Sequence, residues 1–192
     1  MPRAGLTRDS VIESAAALAD ERGLDRLSMS ALARELGVKD ASLYGHVKSL
    51  ADLKLGIALS TAAASAERLA AALAGLSGAD ALRAFANDYR AFAREHPGRH
   101  AATRLPVPLD EVSDLAVFRR YVDLVHSVLR GYGLDEPDRT DAVRFIRSMV
   151  DGFTGLEASG GFNDPRAADE SWQACVEALD AALTHWPIRT AP

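Results

Sequence analysis

SALARELGVKDASLYGHVK, residues 30–48, reads as a helix, a tight turn and a second helix. Leu32 and Leu36 are four apart and share one helical face. Gly37 sits where that helix must stop, because glycine adopts the left-handed conformation without steric cost. A second helix starts near Asp40 or Ala41 and carries Leu43 and Val47, again four apart. Asp40 is placed to cap it by accepting from free backbone N–H groups. The small Ala33 lets the second helix cross close over the first. Two helices joined in this way form a helix-turn-helix, whose second helix enters the major groove of DNA. The same spacing also suits a pair of core helices with a glycine cap.

The remaining positions of the second helix are Lys39, Ala41, Ser42, Tyr44, Gly45, His46 and Lys48. Small residues permit close approach to base edges. Ser42 and Tyr44 carry hydroxyls suited to base or phosphate, and His46 and Lys48 suit phosphate at the trailing end. Tyr44 also fits as a half-buried aromatic with a wet hydroxyl. Ser28 or Ser30 caps the preceding helix, which puts a hydroxyl at a helix N-terminus, either as a phosphate site or as a cap alone.

The run Leu43-Tyr44-Gly45-His46-Val47-Lys48, preceded by Ala33 and Gly37-Val38 and followed by Leu53, resembles the N-terminal domain of TetR-family transcriptional repressors over residues 7–59. The resemblance implies three helices, the second and third forming the helix-turn-helix. Many members carry a lysine where this chain has Leu50. Either Lys48 takes over that phosphate contact, or the N-terminus of the next helix does so.

Composition bounds the rest. The 192 residues are 48% hydrophobic, enough for a sizeable core in one or two compact units. Abundant alanine and few β-branched clusters argue for an all-α chain. The one cysteine, Cys175, excludes an internal disulfide and suits a reducing cytosol. No apolar run approaches the roughly 20 residues of a membrane span, and no signal-peptide core opens the chain, so a cytoplasmic protein without membrane partners is expected. The formal charge is −5, yet residues 1–60 hold eight Lys/Arg and eight Asp/Glu, so the acidity belongs to the C-terminal body. A DNA face then depends on Arg3, Arg8, Lys39, Lys48 and His46, with two copies needed per site.

Helix signals continue outside the motif. The first helix begins near residues 7–9, stops at Gly23, and buries Val11, Ile12, Ala15, Leu18 and Ala19. A long helix over 49–73 carries Leu50, Leu53, Ile57, Leu69 and Leu73, with Gly56 marking a close contact or a bend. Asp80 caps a helix running to about residue 95, and a short helical turn follows over 99–104. Later helices are expected over 110–130, 135–159 and 164–185, with Pro137 in the first turn of the second of these. The expected fold is all-α with about nine helices: an N-terminal three-helix helix-turn-helix DNA-binding domain (1–52), then a C-terminal helical ligand-binding and dimerisation domain (53–192).

The stretches 89–98 and 149–157 resemble TetR members whose C-terminal domain carries a Trp-His-Gly signature, although Val150-Asp151-Gly152 stands in its place. The resemblance implies pairing of the last two helices with those of a second subunit. Gly152, Gly155, Leu156, Trp172, Val176, Leu179 and Leu183 are the candidate interface residues, although these stripes could instead pack within one chain. It also implies an effector pocket. The candidates are Phe85, Tyr89, Phe92, Phe118, Val122, His126, Phe145, Met149 and Phe153, with Tyr89, His126 and Asp151 as polar groups in a mostly apolar setting. An aromatic stripe at helical spacing also suits plain core.

The implied function is a ligand-responsive repressor that binds a pseudo-palindromic operator as a homodimer and is released by a small hydrophobic inducer. A transcriptional activator would use the same DNA module. An all-α enzyme finds little support, with no nucleotide-binding glycine loop, no metal-binding histidine helix and no nucleophile elbow. His96 and His100 are separated by Pro97-Gly98 and need not share a face, so no metal, catalytic residue or cofactor is expected.

Overall fold

The computed structural model describes residues 6–106 and 116–187, the side chains of residues 117 and 118 excepted. Among the described residues there are nine α-helices, two short 3-10 turns and no strand. Arg3, the helix start near Asp110 and the side chain of Phe118 lie outside the described residues. The chain divides into two compact units, Met1–Ala64 with Glu95–Phe118, and Ser65–Arg94 with Arg119–Pro192.

In the first unit, α1 (Arg8–Arg22) starts at a reciprocal cap. The Thr7 hydroxyl accepts from the Ser10 amide at 3.1 Å and the Ser10 hydroxyl accepts from the Thr7 amide at 2.9 Å. After a 3-10 turn, Leu24–Arg26, α2 (Met29–Leu36) is capped by Ser28, whose hydroxyl accepts from the Ala31 amide at 3.2 Å. Gly37 ends α2 with φ +65°, in the left-handed region that glycine tolerates. Next comes α3 (Asp40–Leu43), and α4 (Leu50–Ala72) follows. Val11, Leu18, Leu32, Leu43, Val47, Leu53 and Ile57 converge on one apolar core, with Ala33 buried at the crossing of α2 and α3.

Two expectations for the motif are corrected. The second helix stops at Leu43, after four residues. The amides of His46 and Val47 both close on the Leu43 carbonyl, and glycine at 45 favours leaving the helix. Asp40 does not cap α3, which starts at Lys39 without a side-chain cap. Its carboxylate instead accepts from the Ser30 hydroxyl at 2.6 Å.

The stretch after α3 is held from both sides. One terminal nitrogen of Arg8 donates to the His46 carbonyl and to Asp52 Oδ2, both at 3.0 Å, and the other donates to Asp52 Oδ1 at 2.6 Å. Asp52 Oδ2 also accepts from the Lys48 amide at 2.7 Å, while Ser49 caps α4 by accepting from the Asp52 amide at 3.1 Å. The Arg8 guanidinium, followed by the Lys48 amide, holds the Asp52 carboxyl down at about 2 against the opposing effect of burial.

Glycine permits two close approaches in this unit. A Cβ at Gly56 would lie 2.6 Å from Ile12 Cδ1, so the close contact is with α1. In α6 (Pro97–Thr103), a Cβ at Gly98 would lie 2.1 Å from the backbone of Ala19. Beside it, Asp20 accepts from the Arg99 amide at 2.8 Å and lies 3.2 Å from His96 Nδ1.

The second unit contains α5 (Gly78–Glu95), most of α7 (Ala116–Val128), the 3-10 turn Leu129–Tyr132, α8 (Asp138–Ala158), α9 (Ala168–Thr184) and the end of α4. Its core includes Leu69, Leu82, Phe85, Val125, Leu129, Ile146, Val150, Phe153, Trp172, Val176, Leu179 and Leu183. Arg90 is 7% exposed and lies over the rings of Phe153 and Trp172, 5.4 and 5.2 Å from their centroids. It pairs with Glu157 at 2.5 Å and Asp169 at 2.7 Å, joining α5 to α8 and to the first turn of α9. Three expected starts shift. Asp80 lies within the first turn of α5 and pairs with Arg83 at 3.0 Å. Pro137 precedes α8, which its fixed φ and missing N–H allow it to begin, and α9 starts at Ala168, beyond the 164–165 pair.

Replacing Gly98 with alanine forces α6 off the backbone of α1. Gly98→Ala is expected to cost about 1–3 kcal/mol and to lower the Tm by about 5 °C, read by thermal unfolding. The Asp52 carboxyl is depressed in the folded state, so its contribution is present above its ordinary value of 3.8 and is lost as pH falls through about 2. The stability gap between the wild type and Asp52→Asn should therefore be fully open at neutral pH and close across that acid window, as read by urea titration at each pH.

Candidate nucleic-acid interface and helical body

Leu43 and Val47 anchor the α3 segment in the core, and the opposite side is open. Lys39, Ala41, Ser42, Gly45 and Lys48 are exposed, and Tyr44 is 56% exposed. This face offers a phenol, a hydroxyl and two ammonium groups around residues small enough for a base edge to approach. Neither lysine makes an ion pair among the described residues. His46 is half-buried, with its carbonyl engaged by Arg8. Ser28 is a helix cap. Ser30 is not a cap, since its hydroxyl is committed to Asp40. Arg8, expected among the DNA-facing cations, is occupied by Asp52.

The residues expected to line an effector pocket fall into different settings. Phe85 is core, with its ring 6.0 Å from that of Tyr89. The Tyr89 hydroxyl donates to Asp151 in a short contact, and burial followed by that bond pushes its pKa well up. Phe92 lies beneath the Arg68 guanidinium, which donates to Asp88 at 2.5 Å. Met149 is half-buried, and Phe153 packs against Trp172 and Phe162 at 4.9 and 4.7 Å between centroids. Val122 and Phe145 are exposed, the latter with its ring 5.9 Å from that of Trp186. His126 lines an open groove of about 520 Å³ with Asp123, Ser127, Arg130, Asp135 and Arg139. Tyr121 belongs to the same run of aromatics. It feels the charges of Asp88, Asp151 and Arg147, and burial pushes its phenol up to about 12.

The expected interface set also divides. Trp172, Val176, Leu179 and Leu183 are at most 2% exposed and fill their own unit's core, so they offer no surface to a second chain. The Trp172 indole donates to Asn87 at 2.8 Å. Gly152 and Leu156 are exposed and Gly155 is half-buried. On α9 the exposed small residues are Ala174, Ala178 and Ala181. No group of three His, Cys, Asp or Glu among the described residues is placed to hold a metal ion. No helix among them is long and apolar enough to cross a membrane.

Residues 11–53 match the model of the bacterial regulatory proteins of the tetR family, and residues 82–179 match the tetracyclin repressor-like C-terminal domain. The chain is 37% identical over 162 residues to Rv0681 of Mycobacterium tuberculosis, an uncharacterized HTH-type transcriptional regulator, covering 84% of this chain and 74% of the relative. It is 31% identical to the HTH-type transcriptional repressor DrrR1 of Streptomyces coeruleorubidus, covering 95% of this chain and 66% of the relative. Its fold matches that of the Q116A variant of TetR from Acinetobacter baumannii, crystallised in complex with minocycline. The TM-score is 0.74 at 20% identity, over 96% of this chain and 100% of the other. An all-helical chain with a helix-turn-helix near its start and a tetracyclin repressor-like C-terminal domain belongs to the TetR family of transcriptional regulators.

Proposed function

We propose that this regulator is a ligand-responsive repressor that binds a pseudo-palindromic operator as a homodimer. The observation that carries this reading is the α3 segment, anchored through Leu43 and Val47 while Lys39, Ala41, Ser42, Tyr44 and Lys48 stand in solvent. Residues 1–52 form the DNA-binding domain. Residues 53–192 form the effector-binding and dimerisation domain. The name of the Streptomyces coeruleorubidus relative favours a repressor over an activator.

Dimerisation uses the outer stripes of α8 and α9, with Phe145, Gly152 and Leu156 on one helix and Ala174, Ala178 and Ala181 on the other. Two exposed large side chains beside small ones make a surface that packs closely against a copy of itself. A two-fold pair places two recognition helices about 34–36 Å apart, in successive major grooves. The effector is a small molecule with an apolar body and a polar group. The setting that suits it is around Tyr89, Phe92, Tyr121 and Asp151, where phenols and a carboxylate stand among aromatic rings. Ligand favours the form whose recognition helices are wrongly spaced for DNA, and so releases the operator. The protein acts in the cytoplasm and catalyses no reaction.

The test is selection of bound sequences from random duplex DNA, followed by salt titration of the duplex recovered. A pseudo-palindrome bound by two chains is expected, with affinity falling steeply as salt rises. Recovery of a single unpaired half-site, bound by one chain, would overturn the homodimer. Tyr44→Ala should weaken binding to that duplex by about tenfold, and unchanged affinity in the folded variant removes Tyr44 from the interface. Ala178→Arg should shift the protein to monomers in sedimentation, because it buries a charge against its own symmetry mate.

A further inference from the structure

We infer that Arg8 and Asp52 are positioning residues for DNA recognition, which set the register of the recognition segment and touch neither base nor phosphate. This rests on the DNA-binding reading proposed above. The α3 helix is one turn long, and beyond it the amides of His46 and Val47 both close on the single Leu43 carbonyl. Within that stretch, the His46 carbonyl is held by Arg8 and the Lys48 amide by Asp52. The two side chains are bonded to each other through both carboxylate oxygens. Arg8 is the first residue of α1, and Asp52 lies in the first turn of α4. Two bonds thus tie the end of the recognition segment to the first turns of α1 and α4, and two more join the side chains that make them. Tyr44 lies two residues before the held His46 carbonyl and Lys48 carries the held amide, so their placement on DNA follows the clamp.

The sign of one substitution separates positioning from charge. Removing a carboxylate beside a polyanion should tighten binding if charge alone acts. The clamp requires the reverse. Arg8 remains 45% exposed, so a direct phosphate contact is the competing role for it, and salt dependence tells the two apart.

The experiment uses the full chain, the duplex recovered by selection and a scrambled duplex of the same composition. Wild type, Arg8→Ala, Arg8→Lys, Asp52→Asn and the Arg8→Ala/Asp52→Asn double variant are compared at a temperature where melting curves show all to be folded. Asp52→Asn and Arg8→Ala are each expected to lose about tenfold or more on the selected duplex. Affinity for the scrambled duplex and the slope of log affinity against log salt should stay near wild type. Arg8→Lys should behave like Arg8→Ala, because an ammonium cannot span Asp52 and His46 together. The double variant should lose no more than either single one. Tighter or unchanged binding by Asp52→Asn overturns the inference. So does a salt slope reduced by about one in Arg8→Ala with wild-type behaviour in Arg8→Lys, which makes Arg8 a phosphate ligand. A wild type that recovers no duplex overturns the DNA reading and this inference with it, whereas the other outcomes overturn this inference alone.

Discussion

A helix of four residues cannot sustain itself. Nucleating a turn fixes several residues for a single hydrogen bond, and short helices survive only through tertiary support. The α3 helix is such an element, and much of the first unit supports it. Leu43 and Val47 sink one side into the core built by α1, α2 and α4. The Ser30 hydroxyl holds Asp40 at its start, and the Arg8–Asp52 pair holds the chain after its end. Because the anchoring is done from the buried side and from the two ends, the remaining side is free of structural duty.

The second unit has a comparable centre in Arg90. Taking a guanidinium out of water is costly, and two carboxylates offset this only when the geometry is good. Here Glu157 and Asp169 supply the charge while the guanidinium carbon lies over the rings of both Phe153 and Trp172. The result fixes the inner stripes of α8 and α9 within their own chain. It also separates two roles on each helix. Val150, Phe153, Trp172 and Val176 face inward, and Gly152, Leu156, Ala174 and Ala178 face solvent.

That separation shows what the sequence made legible. Leucines four apart and the glycines at 23 and 37 locate helices and their ends, because periodicity and a positive φ are local properties. A periodic stripe declares that one face is apolar without saying which neighbour covers it. The large residues of α9 therefore fit an interface or their own chain's core equally well by spacing, and the core takes them. The alanines that remain exposed were passed over because they carry little apolar area each. The same ambiguity scattered the expected pocket residues, with Phe85 in the core and Val122 and Phe145 at the surface. Contacts between residues 44 apart, as in Arg8–Asp52, or 67 apart, as in Arg90–Glu157, leave no local pattern to read. The length of α3 was missed because Gly45 breaks the helix only in competition with a strong apolar pair at Leu43 and Val47.

The distribution of charge bears on the proposed use of two copies on one DNA site. Residues 1–60 are formally neutral. Several cations of the first unit are engaged internally, Arg8 with Asp52, Arg22 with Glu35, and Arg99 with Glu13 and Asp20. The exposed α3 face keeps Lys39 and Lys48. Non-specific affinity and its salt dependence both scale with the number of phosphates neutralised, so two lysines in a single copy would give weak attachment with a shallow salt slope. Joining two copies makes the second contact intramolecular and multiplies their affinities. In the dimer proposed above, the outer stripes of α8 and α9 would supply the surface for joining, and the neutrality of residues 1–60 would make DNA binding depend on it. A ligand that alters the geometry of the pair then has leverage that it would lack over a protein able to bind as a single, highly basic copy.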